Sequence, residues 1–190
     1  MKGRRKAVRL GTPVRVQLAF MPPKPLDTPL GELAFLLSSS PPPFIFITDP
    51  VGPRTTAKAV ASTLSSLSND VRFVNINAVT CFTSKLFYDA VLNGLAAWTP
   101  RWDAGCANWP GTSNFARYNE SLDAFIHGIK AVHASLVSGG GPTRLVIAIE
   151  QAERLKERLP EIVVPLTRLA ELVRAAMTQA YSFLTLLDSR

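Results

Sequence analysis

Apolar residues in this chain follow two spacings. The runs from Phe44 to Ile47 and from Leu145 to Ile149 are strand-sized, and the first, through Thr48, does not alternate with polar residues, which predicts burial on both faces, as in a parallel sheet. Between them the spacing turns helical. Residues 54–67 carry apolar side chains at Ala57, Val60, Ala61, Leu64 and Leu67, and residues 83–98 at Leu86, Phe87, Ala90, Val91 and Leu95. A third helix is expected over 118–137, through Leu122, Phe125, Ile126, Ile129 and Val132, stopping at Gly139, Gly140, Gly141 and Pro142. Residues 71–76 and 181–187 predict two more strands, and 165–177 a helix opened by Pro165 in its first turn. A short helix over 30–37 runs into Ser38, Ser39, Ser40 and the prolines 41–43, which cannot continue it.

Strand and helix alternate, so the expected fold is α/β, a parallel sheet with helices on both faces, over residues 28–190. A strand three residues before the last residue leaves the sheet without a following helix, as expected of the front part of something longer. Residues 99–115 break the pattern, being rich in Trp, Gly, Asn and Pro. That is long for a connection, and marks either a functional surface loop or a partner-binding insertion. Trp98, Trp102 and Trp109 either pack back on the core, the preferred reading, or anchor an interface.

Composition narrows the class. At 190 residues and 47% hydrophobic, the chain can build one domain with its own core. No apolar run is long enough to cross a bilayer, so no membrane partner is expected, and the basic N-terminus lacks the apolar segment of a secretory signal. The net charge of +7 is local: Lys2, Arg4, Arg5, Lys6, Arg9, Arg15 and Lys24 all precede the first acid, Asp27, and the remaining bases and acids balance. Residues 1–27 therefore read as a disordered basic, Pro-containing tail. It would contact nucleic acid, direct nuclear import, or remain a solvated arm; a transit peptide fits poorly, because the first 26 residues hold no Ser and several prolines. Cys81 and Cys106 lack a metal-binding spacing and are read as reduced thiols. His127 and His133, six apart, do not share a helix face.

The chemistry concentrates where the first long strand meets its helix. Thr48, Asp49, Pro50, Val51, Gly52, Pro53, Arg54, Thr55 and Thr56 stand where a phosphate-binding loop, Gly-x4-Gly-Lys-Ser/Thr, joins strand to helix. One register sets Thr48 and Pro53 at the two glycines, Arg54 at the lysine and Thr55 at the magnesium-holding hydroxyl. A shift by one makes Thr56 the hydroxyl and puts Thr55 in the lysine place; the first register is preferred because it retains a cation. Pro53 offers no N–H to an anion and Thr48 resists positive φ, while Arg54 is bulkier than lysine. Glu150, closing the strand at 145–149, stands where such proteins hold Mg²⁺, and Gln151 after it cannot serve as a base. The cofactor expectation is ATP with Mg²⁺, weakly held or lost: Thr48, Gly52, Arg54, Thr55 and Thr56 for the nucleotide, Thr55 and Glu150 for the metal, and no catalytic residue. Weak phosphate binding and an ordinary ligand-free strand–turn–helix remain the two readings.

Together these segments resemble the AAA+ domain of the fifth subunit of the origin recognition complex, in its fungal type. Phe73, Val74 and Asn75, followed by Cys81, Phe82, Thr83, Ser84, Lys85 and Leu86, resemble that family's Asn and Cys-Phe-Thr signature after the second strand. Residues 152–156, after the strand that ends in Glu150, resemble the family's segment behind its Walker B strand, and Pro165, Arg168, Leu169, Glu171 and Leu172 resemble the opening of its next helix. The likeness covers about residues 30–190. It implies a P-loop AAA+ fold without the family's lid and winged-helix parts. It also implies a nuclear scaffold in a multi-subunit ring that encircles origin DNA and initiates replication, with the other subunits as partners. The alternatives are a divergent P-loop ATPase with real turnover and a non-functional truncated fragment.

Overall fold

Parallel strands need long crossovers, and the helical stretches between the apolar runs supply them. In the computed structural model, residues 14–17, 27–39, 42, 44–49, 52–67, 71–111, 117–142, 144–174 and 183–189 are described. Strands β1 (Val14–Gln17), β2 (Ile45–Thr48), β3 (Val71–Asn77), β4 (Arg144–Glu150) and β5 (Phe183–Ser189) form one sheet in the order β1-β2-β5-β4-β3. Every pairing is parallel. The crossovers are α1 (Asp27–Ser39), α2 (Pro53–Ser66), α3 (Ser84–Leu95), α4 (Leu122–Ser138), α5 (Glu153–Arg158), α6 (Pro160–Thr167) and α7 (Leu169–Arg174).

Side-chain alternation on the strands divides the core in two. On β4, Val146 and Ala148 join Ile45, Ile47 and Val71 beneath α1 and α2, which contribute Leu33, Leu37, Val60 and Leu64. Leu145, Ile147 and Ile149 face the other way, with Val74 and Ile76 of β3, into the larger cluster built by α3 to α7. There Phe125 stacks on Tyr88 with ring centroids 4.4 Å apart, and Phe87 meets Phe125 edge-on. Gly94 lets α3 lie close on β3, since a Cβ there would stand 2.1 Å from Val74 Cγ2.

Two arginines at the amino end of the sheet fasten helix ends on opposite faces. Arg72 donates from Nε to the Leu95 carbonyl at 2.8 Å and from Nη2 to the Gly94 carbonyl at 3.1 Å, ending α3. Arg144 donates from Nη1 to the Leu37 and Ser38 carbonyls, ending α1. Both satisfy carbonyls that have no partner within the helix and set a cation against its negative end.

The structure departs from the sequence expectation at several places. The helix expected over 30–37 begins earlier, at Asp27, because Pro29 falls in the first turn, where a missing N–H costs nothing. Where a single helix is expected over 165–177, the described residues form the end of α6 and then α7, and Pro165 lies inside α6. Pro160 opens α6, and Pro165 has no N–H for the Glu161 carbonyl, so the helix stops two residues later. The last strand is Phe183–Ser189; residues 175–182, which include the end of the expected helix and the start of the expected strand, lie outside the described residues. β1 falls within the segment read as a tail, whose residues 1–13 and 18–26 also lie outside the described residues.

The topology locates the functional crevice. The loop leaving β2 goes to α2 on one face, and the loop leaving β4 goes to α5 on the other. Loops that part in this way open a crevice at the carboxyl ends of the strands, here above β5.

Candidate functional site

At the carboxyl end of β2 the chain turns through Asp49 into Gly52, which precedes α2 with φ −136° and ψ 52°. The Gly52 carbonyl accepts from the Thr55 and Thr56 N–H groups at 2.9 and 3.0 Å, starting the helix. The Asp49 carboxylate folds back over this start. Its Oδ1 accepts the Gly52 N–H at 3.0 Å and its Oδ2 accepts the Thr56 hydroxyl at 2.5 Å. One backbone N–H and the hydroxyl that a phosphate-binding loop would offer to its ligand are thus bonded to a carboxylate of the same chain.

The predicted residues divide accordingly. Thr56 is buried, at 3% exposure, while Arg54 and Thr55 are exposed. The inward hydroxyl is thus that of the register shifted by one, which sets Asp49 at the first glycine, Arg54 at the second, Thr55 at the lysine and Thr56 at the hydroxyl. The signal was legible, because Thr56, Val60 and Leu64 fall four apart on one helix stripe, which Thr55 does not join. Thr48 ends β2 with a buried hydroxyl that has no hydrogen-bond partner among the described residues.

Glu150, at the carboxyl end of β4, pairs in register with Asn77, and its Oε1 accepts from Asn75 Nδ2 at 2.6 Å. Thr56, Asn75 and Glu150 line a cavity of about 20 Å³, otherwise apolar through Ile47, Val60 and Ala148. That volume suits a single water. The structure thus brings Glu150 and Thr56 to one cavity and leaves Thr55, the other predicted metal ligand, outside it. No group of three His, Cys, Asp or Glu side chains able to hold a metal occurs among the described residues. The residues present do not fit ATP with Mg²⁺: the lysine place holds Thr55, Pro53 lacks an N–H, and a carboxylate stands against the nest.

Elsewhere the candidate groups have structural roles. His133 is buried and His127 exposed, its Nδ1 2.9 Å from the Asp123 carbonyl oxygen. Burial pushes the Cys81 thiol above its usual range, partly offset by a hydrogen bond with Thr80, and a buried, protonated thiol is a poor nucleophile. Asn93 holds residues 108 and 109 of the Trp-containing segment: its Oδ1 accepts the Trp109 N–H at 2.8 Å and its Nδ2 donates to Asn108 at 3.0 Å. Trp109 packs inward on Tyr118, but Trp102 is 92% exposed, so the preferred packing reading fails for that residue. Arg101 forms a fork to Asp103 beside it, at 3.0 and 2.6 Å.

No family model and no curated protein matches the chain. Among solved structures that do match, one chain of "Structure of Drosophila ORC bound to DNA" superposes with a TM-score of 0.60 at 21% identity, over 85% of this chain and 36% of that chain. The protein shares that α/β fold and spans a little over a third of the other chain's length.

Proposed function

We propose that the protein is a subunit of an origin recognition complex that acts in the initiation of DNA replication as a scaffold, contributing contacts and no ATP hydrolysis. The observation that carries this is the superposition on a chain of DNA-bound Drosophila ORC across 85% of the protein. The segment from Cys81 to Leu86 supports the fifth-subunit, fungal-type reading. It starts at a buried thiol, turns through the Thr83 cap of α3, and presents Phe82 (60% exposed) and Leu86 (41%) on the surface. Such exposed apolar groups suit contact with other subunits.

A loop whose cation position is exposed and whose hydroxyl is bonded to Asp49 favours a scaffold over the divergent ATPase. On this reading the protein works in the nucleus and meets origin DNA through its complex; no helix among the described residues is long and apolar enough to cross a membrane. The test is affinity purification of the tagged protein from nuclear extract, with partners identified by mass spectrometry. Recovery of origin recognition subunits is the expected result. A folded protein that recovers none of them overturns the proposal.

A further inference from the structure

We propose that Asp49 is a built-in substitute for phosphate, whose carboxylate occupies the Gly52 N–H and the Thr56 hydroxyl at the start of α2 and shuts nucleotide out. A phosphate-binding loop is a ring of donors around an anion at a positive helix end, and without the anion those donors face one another unsatisfied. Here the anion is a side chain. The Asp49 oxygens take the Gly52 N–H at 3.0 Å and the Thr56 hydroxyl at 2.5 Å, one oxygen each. Thr56 is almost wholly buried, so its hydroxyl needs a partner inside the protein and has this one.

The surroundings agree. Glu150, the other acid of the crevice, is engaged by Asn75 at 2.6 Å. Arg54 is exposed. A polyphosphate entering the loop would meet a carboxylate of like charge already bonded to the donors it requires. These two donors are therefore satisfied without a nucleotide, by the chain alone. This deepens the scaffold reading and takes its biological meaning from it. The test is made on the isolated chain, so its failure is distinct from a failure to recover origin partners.

The experiment is thermal melting of the full 190-residue chain, with and without millimolar pyrophosphate or ATP with Mg²⁺ at constant ionic strength. Four proteins are compared: the wild type, Asp49→Gly, Asp49→Asn and the remote control Glu32→Gln. The wild type and the control should show no ligand-dependent shift. Asp49→Gly should melt roughly 3–8 °C lower, and pyrophosphate should restore at least half of that loss. Asp49→Asn keeps an acceptor oxygen for one of the two donors and removes the charge, so it should stay folded and bind a fluorescent ATP analogue about tenfold or more tighter than the wild type. A saturable shift in the wild type as large as that of Asp49→Gly overturns the proposal. So does a pair of Asp49 variants that neither lose stability nor respond to pyrophosphate.

Discussion

Thr55 and Thr56 are adjacent and identical, and the structure gives them opposite roles, so replacing each by valine is a controlled comparison. Thr56→Val keeps the branched shape inside a site only 3% exposed and deletes the hydroxyl that donates to Asp49 Oδ2 at 2.5 Å. A hydrogen bond to a charged group contributes about 1.5–3 kcal/mol. The Gly52 N–H still holds Oδ1, so the carboxylate is not wholly abandoned and the lower half of that range is expected. For a domain of this size each kcal/mol moves Tm by roughly 2–4 °C, giving a fall of about 3–9 °C. Thr55→Val alters an exposed side chain at the start of the same helix and should stay within about 0.5 kcal/mol of wild type. Urea unfolding at equilibrium reads both, with unchanged m-values as the sign that only stability moved. Equal losses, or a larger loss at Thr55, would refute the inward assignment of Thr56 and restore the register with Arg54 in the lysine place.

The packing sets three more outcomes. Gly31→Ala adds a methyl with nothing within 4 Å in a helix and should stabilise by about 0.5–1 kcal/mol, whereas Gly94→Ala drives a Cβ to 2.1 Å from Val74 and should cost about 1–3 kcal/mol; calorimetric melts separate the two signs. Burial raises the Cys81 thiol above its ordinary 9.0, and burial with the nearby Glu161 charge raises the Tyr88 phenol above its ordinary 10.0. Both groups hold their protons longer folded than unfolded, so their contribution is complete below those values and is lost as pH rises past them; Tm should fall in that alkaline window, and less steeply in Tyr88→Phe. Trp102→Ala should leave the melt unchanged, because the ring is 92% exposed, while Trp109→Ala removes the stack on Tyr118 and should lower Tm and shift the remaining tryptophan emission.

The sequence revealed most where one period dominated. The continuous apolar runs of β2 and β4 and the helical stripes of α2, α3 and α4 lie where their spacing put them, because each buries a face in one of the two cores. Pro165 misled: it can open a helix, but the three-dimensional path puts it inside α6, which Pro160 opens. β1 was invisible because its four residues sit among charges and gain their strand character from pairing with β2. At the site, Glu150 lies at the strand end where its spacing put it. Asp49 was passed over, because motif reading looked for cations and hydroxyls to hold a ligand and not for an acid to replace one.

The position of β5 in the sheet bears on how the protein is made. β5 is the last of the described strands in sequence, yet it lies between β2 and β4 and is hydrogen-bonded to both. Without β5 the hydrogen bonding of the sheet divides into two separate strand pairs, β1 with β2 and β3 with β4, each with an open edge. A nascent chain emerging from the ribosome therefore cannot close its centre early, and pairing Ile45 with Leu186 spans most of the sequence. Such long-range closure slows folding and leaves unpaired edges exposed meanwhile. The helices can form as they are synthesised, but the two strand pairs must wait for the final one to join them, which makes this the stage at which chaperones, or a partner strand from another chain, would find the protein open.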